Sequence, residues 1–279
     1  MSDAPLPGAR ERAESFRALH QRAGVFVMPN AWDAGSARIL AGLGFEAVAT
    51  TSSGHACTLG RSDGQVTREE VLAHIGDLVA AMPLPVSADL ENCYADDPAG
   101  AAQTIRLASE AGASGGSIED YSGPESGSIY DFTHAVERVA AAVEMARSLP
   151  VPFTLTARAE NLIRGRPDLD DTIARLKAFE DAGADVLYAP GLKSAAEVAA
   201  VCEAVSKPVN VLAAPALSVN TIAAAGARRI SLGGALARTA IGGFLDAIRE
   251  VMETGSFQAL ADAPPFSEIN ALMSGDGDA

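Results

Sequence analysis

The sequence predicts an α/β fold in which eight β–α units close into a (β/α)8 barrel. Short apolar, β-branched segments alternate strictly with helical segments over about 230 residues, which indicates a parallel sheet of eight strands. Four helical segments also end in an Ala-Gly pair just before an apolar run. Glycine past a helix takes the left-handed conformation that ends it, and a buried parallel strand reads as a short continuous apolar run.

The predicted elements follow one another from the amino terminus. A first helix spans 8–22, and the strands span 25–28, 46–50, 84–89, 114–119, 152–157, 185–188, 208–212 and 228–232. The barrel helices span 33–42, 68–81, 97–111, 132–148, 168–182, 194–205, 218–225 and 234–253. Ala-Gly pairs end the first, third, fifth and seventh of these helices. Prolines follow the second, fourth and sixth, because proline cannot continue a helix and is tolerated at the start of a strand.

A single domain over 1–279 is predicted, with the barrel proper at about 25–253 and a C-terminal segment after it. No linker or compositional break divides the chain. The alternative is an open doubly wound sheet, which normally carries a Gly-x-Gly-x-x-Gly motif after its first strand. Here the first strand leads into Ala31-Trp32-Asp33-Ala34 instead.

The composition excludes several classes of partner. Asp and Glu number 36 against 21 Lys and Arg, which gives a net charge of −15 and a pI near 4.6. Nucleic acids and anionic membranes bind basic surfaces, so neither is an expected partner. A small anionic metabolite is not excluded, because one well-placed arginine or a bound cation can reverse the sign of the charge locally. Three widely spaced cysteines and the lack of any run of about 18 apolar residues favour a cytoplasmic protein with reduced thiols.

The residues that close the strands are the candidate site, because barrel enzymes place their active sites at the carboxyl ends of the strands. Asp89 and Glu91 close the third strand, Glu119 closes the fourth, and Asp63 lies in the loop after the second. Packed together, these acids repel unless a cation lies among them. All-oxygen ligands favour Mg²⁺ or Mn²⁺ over zinc. The alternative is that they are solvated loop residues or helix caps.

Three further groups lie at predicted strand ends. Arg158 follows an apolar strand and needs an anion, either a substrate carboxylate held by two hydrogen bonds or an internal partner such as Glu119 or Glu160. Ser53-Gly54 offers a hydroxyl and a backbone amide, or is an ordinary turn. Asn210 lies on the seventh strand. The histidines His20, His74 and His134 fall on helical patterns and are predicted to lie at the surface.

These strand ends resemble the isocitrate lyase/phosphoenolpyruvate mutase superfamily from about Val25 to Met252. The matching stretches are Met28-Pro29-Asn30-Ala31-Trp32-Asp33, Thr51-Ser52-Ser53-Gly54, Ala88-Asp89-Leu90-Glu91-Asn92-Cys93-Tyr94, Ser117-Ile118-Glu119-Asp120, Ala157-Arg158 and Pro208-Val209-Asn210-Val211. The resemblance implies a barrel with a C-terminal helical segment swapped between subunits, a homotetramer, and Mg²⁺ bound with an α-oxo or α-hydroxy carboxylate.

The resemblance also implies roles for individual residues. Asp89 would bind the metal directly, while Asp63, Glu91 and Glu119 would act through metal-bound waters. Ser53 and Gly54 would hold the carboxylate and oxo oxygens of the substrate, and Arg158 its carboxylate, with Asn210 also in the substrate site. Ser53, Glu119, Arg158 and Tyr121 form the expected catalytic set.

Departures from the superfamily pattern narrow the expected activity. The Lys-x-Cys-Gly-His gate of the isocitrate and methylisocitrate lyases is absent from residues 121–128, and the gating Asn of the mutase corresponds to Gly127. Pro190 stands where the lyases have Glu and the mutase has His, and Leu212 replaces a polar residue of the lyases. Cys93 replaces a usual glycine of the metal loop, which could alter that turn.

What remains suits a Mg²⁺-dependent carbon–carbon lyase that acts through an enolate, with oxaloacetate decarboxylation the most specific hypothesis. Loss of CO₂ needs no protein base, and water can protonate the enolate; Tyr121, Glu125 and Tyr130 are the other candidate proton carriers. Two alternatives stay open. One is phosphonopyruvate hydrolysis or phosphoenolpyruvate mutase chemistry at a P–C bond, and the other is a non-catalytic protein that binds an oxo acid.

Overall fold

The sheet is a parallel barrel, which confirms the predicted fold class. The computed structural model describes residues 8–123 and 127–274 of the 279. Its strands are β1 (Phe26–Met28), β2 (Asn30–Ala31), β3 (Val48–Thr50), β4 (Val86–Ala88), β5 (Gly115–Glu119), β6 (Thr154–Arg158), β7 (Val186–Tyr188), β8 (Val209–Leu212) and β9 (Arg229–Ser231). Their order is β1-β9-β8-β7-β6-β5-β4-β3-β2, and every pairing is parallel.

The first predicted strand is divided into β1 and β2, which explains nine strand segments where eight strands were predicted. Only Pro29 separates the two segments, and proline has no N–H to donate to a neighbouring strand. β1 pairs with β9 and β2 pairs with β3, so the two edges of the sheet meet at this point and the barrel closes.

The helices match the predicted ranges to within about one residue at each end, a difference smaller than the usual ambiguity of helix boundaries. They are α1 (Ala9–Gln21), α2 (Ala34–Gly42), α3 (Ser52–Thr58), α4 (Arg68–Ala81), α5 (Pro98–Glu110), α6 (Phe132–Ser148), α7 (Leu169–Asp181), α8 (Ala195–Ala204), α9 (Val219–Ala224), α10 (Ala235–Thr254) and α11 (Phe266–Ser274), with a 3₁₀ turn at Gln258–Asp262. α3 was not predicted as a helix, whereas α11 lies in the expected C-terminal helical segment. α3 is short and contains glycine and threonine, so its only clear sequence signal is the N-cap Thr51.

α1 lies beneath the amino ends of the strands. Phe16 is fully buried there, and a Cβ added to Gly115 at the start of β5 would come within 2.8 Å of its ring. His20 is also buried, with Nδ1 at 2.8 Å from the Phe16 carbonyl oxygen and Nε2 at 3.2 Å from Arg229 Nη1. Burial and the nearby Arg229 lower the pKa of His20 to about 3.

The predicted surface position of the helical histidines is therefore wrong for two of them. His20 is buried beneath the barrel, and His74 on α4 is buried against His55, with the two ring centroids 3.8 Å apart. Both lie on the faces of their helices that pack inward, where a helical pattern alone cannot separate a buried imidazole from an exposed one. His134 is partly exposed on α6, as predicted.

α10 extends away from its own barrel. Ala237 is its one buried residue, while Phe244, Leu245, Ile248 and Met252 are exposed. This apolar stripe therefore does not form the outer wall of its own barrel. Within the described ranges, none of the helices combines the length and apolar character needed to cross a bilayer.

Candidate active site

A cavity of about 290 Å³ opens at the carboxyl ends of the strands. Seven of the nine predicted site residues line it: Ser53, Asp63, Asp89, Glu91, Glu119, Arg158 and Asn210. Gly54 and Tyr121 do not belong to the lining. The alternation of strands and helices therefore brings together residues that are far apart in the chain, as expected for a barrel.

Arg158 lies at the centre of a cluster of carboxylates. Its Nη1 donates to Asp89 Oδ1 at 2.8 Å, and its Nη2 lies 2.8 Å from Glu160 Oε1 and 3.2 Å from Glu119 Oε2. Its Nε also donates to Glu160 Oε1, at 3.0 Å. The internal ion pair, which the sequence left as the alternative to a substrate carboxylate, is thus present.

Two hydrogen bonds hold Asp89, one to its side chain and one from its backbone N–H. Its Oδ2 accepts a hydrogen bond from the Ser52 backbone N–H at 3.1 Å, and its own N–H donates to Thr50 Oγ1 at 2.8 Å. Together with the Arg158 contact, these bonds fix the carboxylate at the cavity wall.

Negative charge exceeds positive charge in this cluster. Burial, followed by the charges of Asp89 and Asp63, raises the pKa of Glu91 to about 7. Burial also raises the pKa of Glu119 well above its usual range, against the opposing effect of Arg158. A bound cation would relieve this repulsion, and its oxygen-rich surroundings suit a hard divalent ion.

The carboxylates do not form a closed cage. Within 8–123 and 127–274, no three His, Cys, Asp or Glu side chains converge in a ready-made metal site. Mg²⁺ usually keeps several waters and contacts one or two carboxylates, so an open arrangement still fits this ion. Asp89 could be the direct ligand, with Asp63, Glu91 and Glu119 reaching the ion through water.

We expect the affinity for Mg²⁺ to rise with pH between about 6 and 8, because the ion competes with the proton on Glu91. With a pKa of about 7, Glu91 is partly protonated near neutrality, and metal binding favours its ionised form. Calorimetry in two buffers of different ionisation enthalpy would measure the released protons. Glu91→Gln should bind Mg²⁺ more weakly and with a smaller pH dependence; an affinity that does not change with pH in the unmodified protein would contradict this expectation.

The loop after β4 has an unusual backbone. Glu91, Cys93 and Tyr94 have φ angles of 49°, 59° and 55°, in the left-handed region that disfavours residues other than glycine. Cys93, which replaces the usual glycine, is fully buried and keeps the glycine-like turn. Its N–H donates to the Leu90 carbonyl at 2.7 Å, and its carbonyl accepts from Thr104 Oγ1 at 2.7 Å. Burial raises the pKa of Cys93 to about 12, so its thiol stays protonated.

Cys93→Gly should change the free energy of unfolding by no more than about 1 kcal/mol, because relief of left-handed strain offsets the loss of a small buried side chain. Cys93→Val should cost about 2 kcal/mol or more, since a β-branched residue is poorly tolerated at this φ and adds volume to a closed space. Urea unfolding of the two variants would measure the difference. Equal stabilities would show that the strain is not confined to this residue.

The segment after β3 forms α3, capped by Thr51. The Gly54 N–H donates to Thr51 Oγ1 at 3.4 Å, and Ser53 Oγ lies 3.2 Å from the same oxygen. A Cβ at Gly54 would lie 2.7 Å from Thr51 Cγ2 and 2.8 Å from Trp32 Cβ. Close packing thus explains the glycine, and of the predicted pair only Ser53 faces the cavity.

Asn210 belongs to a buried polar network inside the barrel. Its Oδ1 accepts from Arg229 Nε at 2.8 Å, and its Nδ2 donates to Ser231 Oγ at 2.9 Å. Arg229 also donates to Thr156 Oγ1 at 3.1 Å. Burial lowers the pKa of Arg229 to about 9, with a further effect of Arg158. Sequence reasoning missed Arg229, although a charged residue inside an apolar strand is a signal that could have identified it.

Two of the other candidate proton carriers, Tyr121 and Tyr130, do not line the cavity. The Tyr121 ring lies under the guanidinium of Arg164, with Arg164 Cζ 3.9 Å from the ring centroid. Tyr130 donates from its hydroxyl to Asp96 Oδ1 at 2.5 Å. Glu125 lies outside the described residues. Pro190 and Leu212 do line the cavity and have no titratable group.

Comparisons with known proteins agree with this geometry. The sequence model of the phosphoenolpyruvate phosphomutase family matches residues 16–252. An oxaloacetate decarboxylase of Bradyrhizobium diazoefficiens is 30% identical over 272 residues, covering 93% of each protein. A solved putative lyase/mutase from Burkholderia cenocepacia superposes with a TM-score of 0.91 at 57% identity, over 94% of this chain and 95% of that one.

A third relative identifies the superfamily to which these proteins belong. The crystal structure of 2,3-dimethylmalate lyase, described as a PEP mutase/isocitrate lyase superfamily member, has a TM-score of 0.82 at 25% identity over 94% of both chains. The resemblance seen in the strand-end motifs is thereby confirmed. The chain belongs to the phosphoenolpyruvate phosphomutase family, within the PEP mutase/isocitrate lyase superfamily of enzymes.

Proposed function

We propose that this protein is a Mg²⁺-dependent carbon–carbon lyase of small α-oxo or α-hydroxy dicarboxylates, with oxaloacetate decarboxylation the most specific reaction. The observation that carries the proposal is the excess of carboxylates near Arg158, with Asp63, Asp89, Glu91 and Glu119 on one cavity. The decarboxylase from Bradyrhizobium diazoefficiens and 2,3-dimethylmalate lyase, both relatives, support the choice of reaction class.

The chain's own residues would bind and orient the substrate. Asp89 would hold Mg²⁺ directly, with Mn²⁺ an acceptable substitute, and the ion would supply Lewis-acid stabilisation of negative charge at the substrate oxygens. Glu160 holds Arg158 through Nε and Nη2, so Nη1 can exchange from Asp89 to a substrate carboxylate. Ser53 would donate its hydroxyl hydrogen to a substrate oxygen.

Decarboxylation of oxaloacetate needs no proton from a side chain of the protein. The C3–C4 bond breaks, its electron pair moves into the enolate of pyruvate, and CO₂ leaves. Water then protonates C3. This agrees with the apolar Pro190 and Leu212 in the cavity and with Tyr121 and Tyr130 outside its lining. A buried site that stabilises the developing charge can supply most of the rate enhancement.

An assay of oxaloacetate, 2-methylisocitrate and dimethylmalate, with Mg²⁺ and with EDTA, tests the proposal. We expect pyruvate to form from oxaloacetate in a reaction that EDTA stops. Phosphate release from phosphonopyruvate would instead support P–C bond hydrolysis. Mg²⁺-dependent binding of oxalate without turnover of any dicarboxylate would support a binding protein.

We also propose that the protein assembles as a homo-oligomer, a tetramer by family resemblance, in which α10 packs on a second copy. The exposed stripe of Phe244, Leu245, Ile248 and Met252 supports this, because contiguous exposed apolar surface often marks an interface. Light scattering of Phe244→Glu against the unmodified protein would test it, with dissociation as the expected result.

A further inference from the structure

Three arginines line the cavity, and in two of them every guanidinium nitrogen contacts another side chain. Arg158 contacts Asp89, Glu119 and Glu160. Arg229 donates to Asn210 and Thr156 and contacts His20. The third, Arg164, makes an ion pair with Glu160, with Nε at 3.4 Å from Glu160 Oε2. Its Nη1 and Nη2 donate no hydrogen bond to any described residue.

Arg164 is nevertheless held in place. It lies in the loop after β6, where its backbone N–H donates to the Glu160 carbonyl at 3.1 Å. Its guanidinium lies 3.9 Å from the centroid of the Tyr121 ring, a cation–π contact that orients the plane of the group. Its side chain is 35% exposed and lines the cavity.

Glu160 connects the two guanidinium groups at the cavity mouth. Its Oε1 binds Arg158, and its Oε2 faces Arg164. The carboxylate is fully buried and has two positive partners, so it fixes the spacing between them. Arg158 and Arg164 therefore contact different oxygens of one carboxylate, and both line the same cavity.

We propose that Arg164 binds the second carboxylate of the substrate and thereby selects dicarboxylates over monocarboxylates. This inference rests on the proposed function, in which the first carboxylate lies at the metal and Arg158. The planar guanidinium can donate two parallel hydrogen bonds to a carboxylate, which gives both affinity and orientation. A monocarboxylate would leave these donors without an anionic partner.

Arg164 contributes to binding and not to bond cleavage if the second carboxylate is the one that leaves as CO₂. A guanidinium stabilises a carboxylate but not neutral CO₂, so its contact is strongest in the bound substrate and weakens toward the transition state. Removal of the guanidinium should therefore raise KM for oxaloacetate and leave kcat equal or higher.

The test compares Arg164→Gln with Arg166→Gln, a control in the same loop. Arg166 lies outside the cavity lining and pairs only weakly with Asp171, at 3.8 Å. Calorimetry in Mg²⁺ would use oxalate, malate and 2-hydroxybutyrate. Oxalate fills only the metal end, while malate and 2-hydroxybutyrate share the hydroxy-acid end and differ in having a carboxylate or a methyl group at the other.

The unmodified protein should bind malate about 10 to 100 times more tightly than 2-hydroxybutyrate, as expected for hydrogen bonds to a charged group. Arg164→Gln should lose most of that preference and change oxalate affinity by less than about twofold. Arg164→Lys should lose an intermediate amount, and Arg166→Gln should behave like the unmodified protein.

Two results would overturn the role of Arg164. One is an unchanged malate preference in Arg164→Gln, and the other is an equal loss of oxalate and malate, which would indicate general damage to the site. A fall in kcat at constant KM would also contradict it. Failure of the unmodified protein to bind oxalate in Mg²⁺ would instead contradict the proposed function itself, so the two failures are distinguishable.

Discussion

Asp89→Ala should abolish metal-dependent turnover, with a loss of at least about 10³-fold, while the barrel remains folded. Both oxygens of Asp89 accept hydrogen bonds, one from Arg158 and the other from the Ser52 N–H. Removal of this group takes away the proposed direct ligand. Stability should change little, because Arg158 keeps its contacts with Glu119 and Glu160.

Asp63→Ala is the matched control for this variant. Asp63 lines the same cavity but is exposed in the loop before α4, where it would act through water. Its loss should reduce turnover by about tenfold. Calorimetric titration with Mg²⁺, steady-state rates and thermal melting would separate metal binding from folding. Full Mg²⁺ affinity in Asp89→Ala would contradict the assignment of the ligand.

The sequence was most informative at the predicted strand ends, where the alternation of strands and helices locates the site and the residue types indicate its chemistry. Strand ends follow from alternation, so Asp89, Glu119 and Arg158 could be assigned to one cavity without coordinates. The family motifs then gave the reaction class. The structure places the Arg158 guanidinium 2.8 Å from Asp89 and 3.2 Å from Glu119, and no motif encodes these distances.

Features that depend on packing between distant elements could not be predicted. The contact of His20 with Arg229 requires α1 to lie beneath the barrel, 209 residues away in sequence. The hydrogen bond from Arg158 to Glu160 depends on the conformation of the loop after β6. The orientation of the Arg164 guanidinium depends on the position of the Tyr121 ring. A sequence pattern supplies the residue types for such networks but not their partners.

Arg158→Met should lower the free energy of unfolding by about 3 to 5 kcal/mol at neutral pH, because buried Glu119 loses its positive partner and buried Glu160 loses one of two. Glu160 is fully buried and Glu119 nearly so. The pKa of Glu119 is raised even with Arg158 present, so its ionised form is disfavoured in the folded state. Removal of Arg158 should raise that pKa further and abolish turnover.

The pH dependence of this loss distinguishes unpaired charge from lost packing. An acid whose pKa is raised on folding destabilises the folded state once the pH exceeds its unfolded value of about 4.3, and the cost grows as the pH rises toward the folded pKa. The stability deficit of Arg158→Met relative to the unmodified protein should therefore shrink from pH 7 to about pH 5.

Adding Glu160→Gln to Arg158→Met should recover part of the lost stability at pH 7, because the amide fills the same space without a charge. Urea unfolding at both pH values measures the deficit; one that stays constant with pH would assign the loss to packing, and the carboxylate excess would no longer support a cation in this cavity.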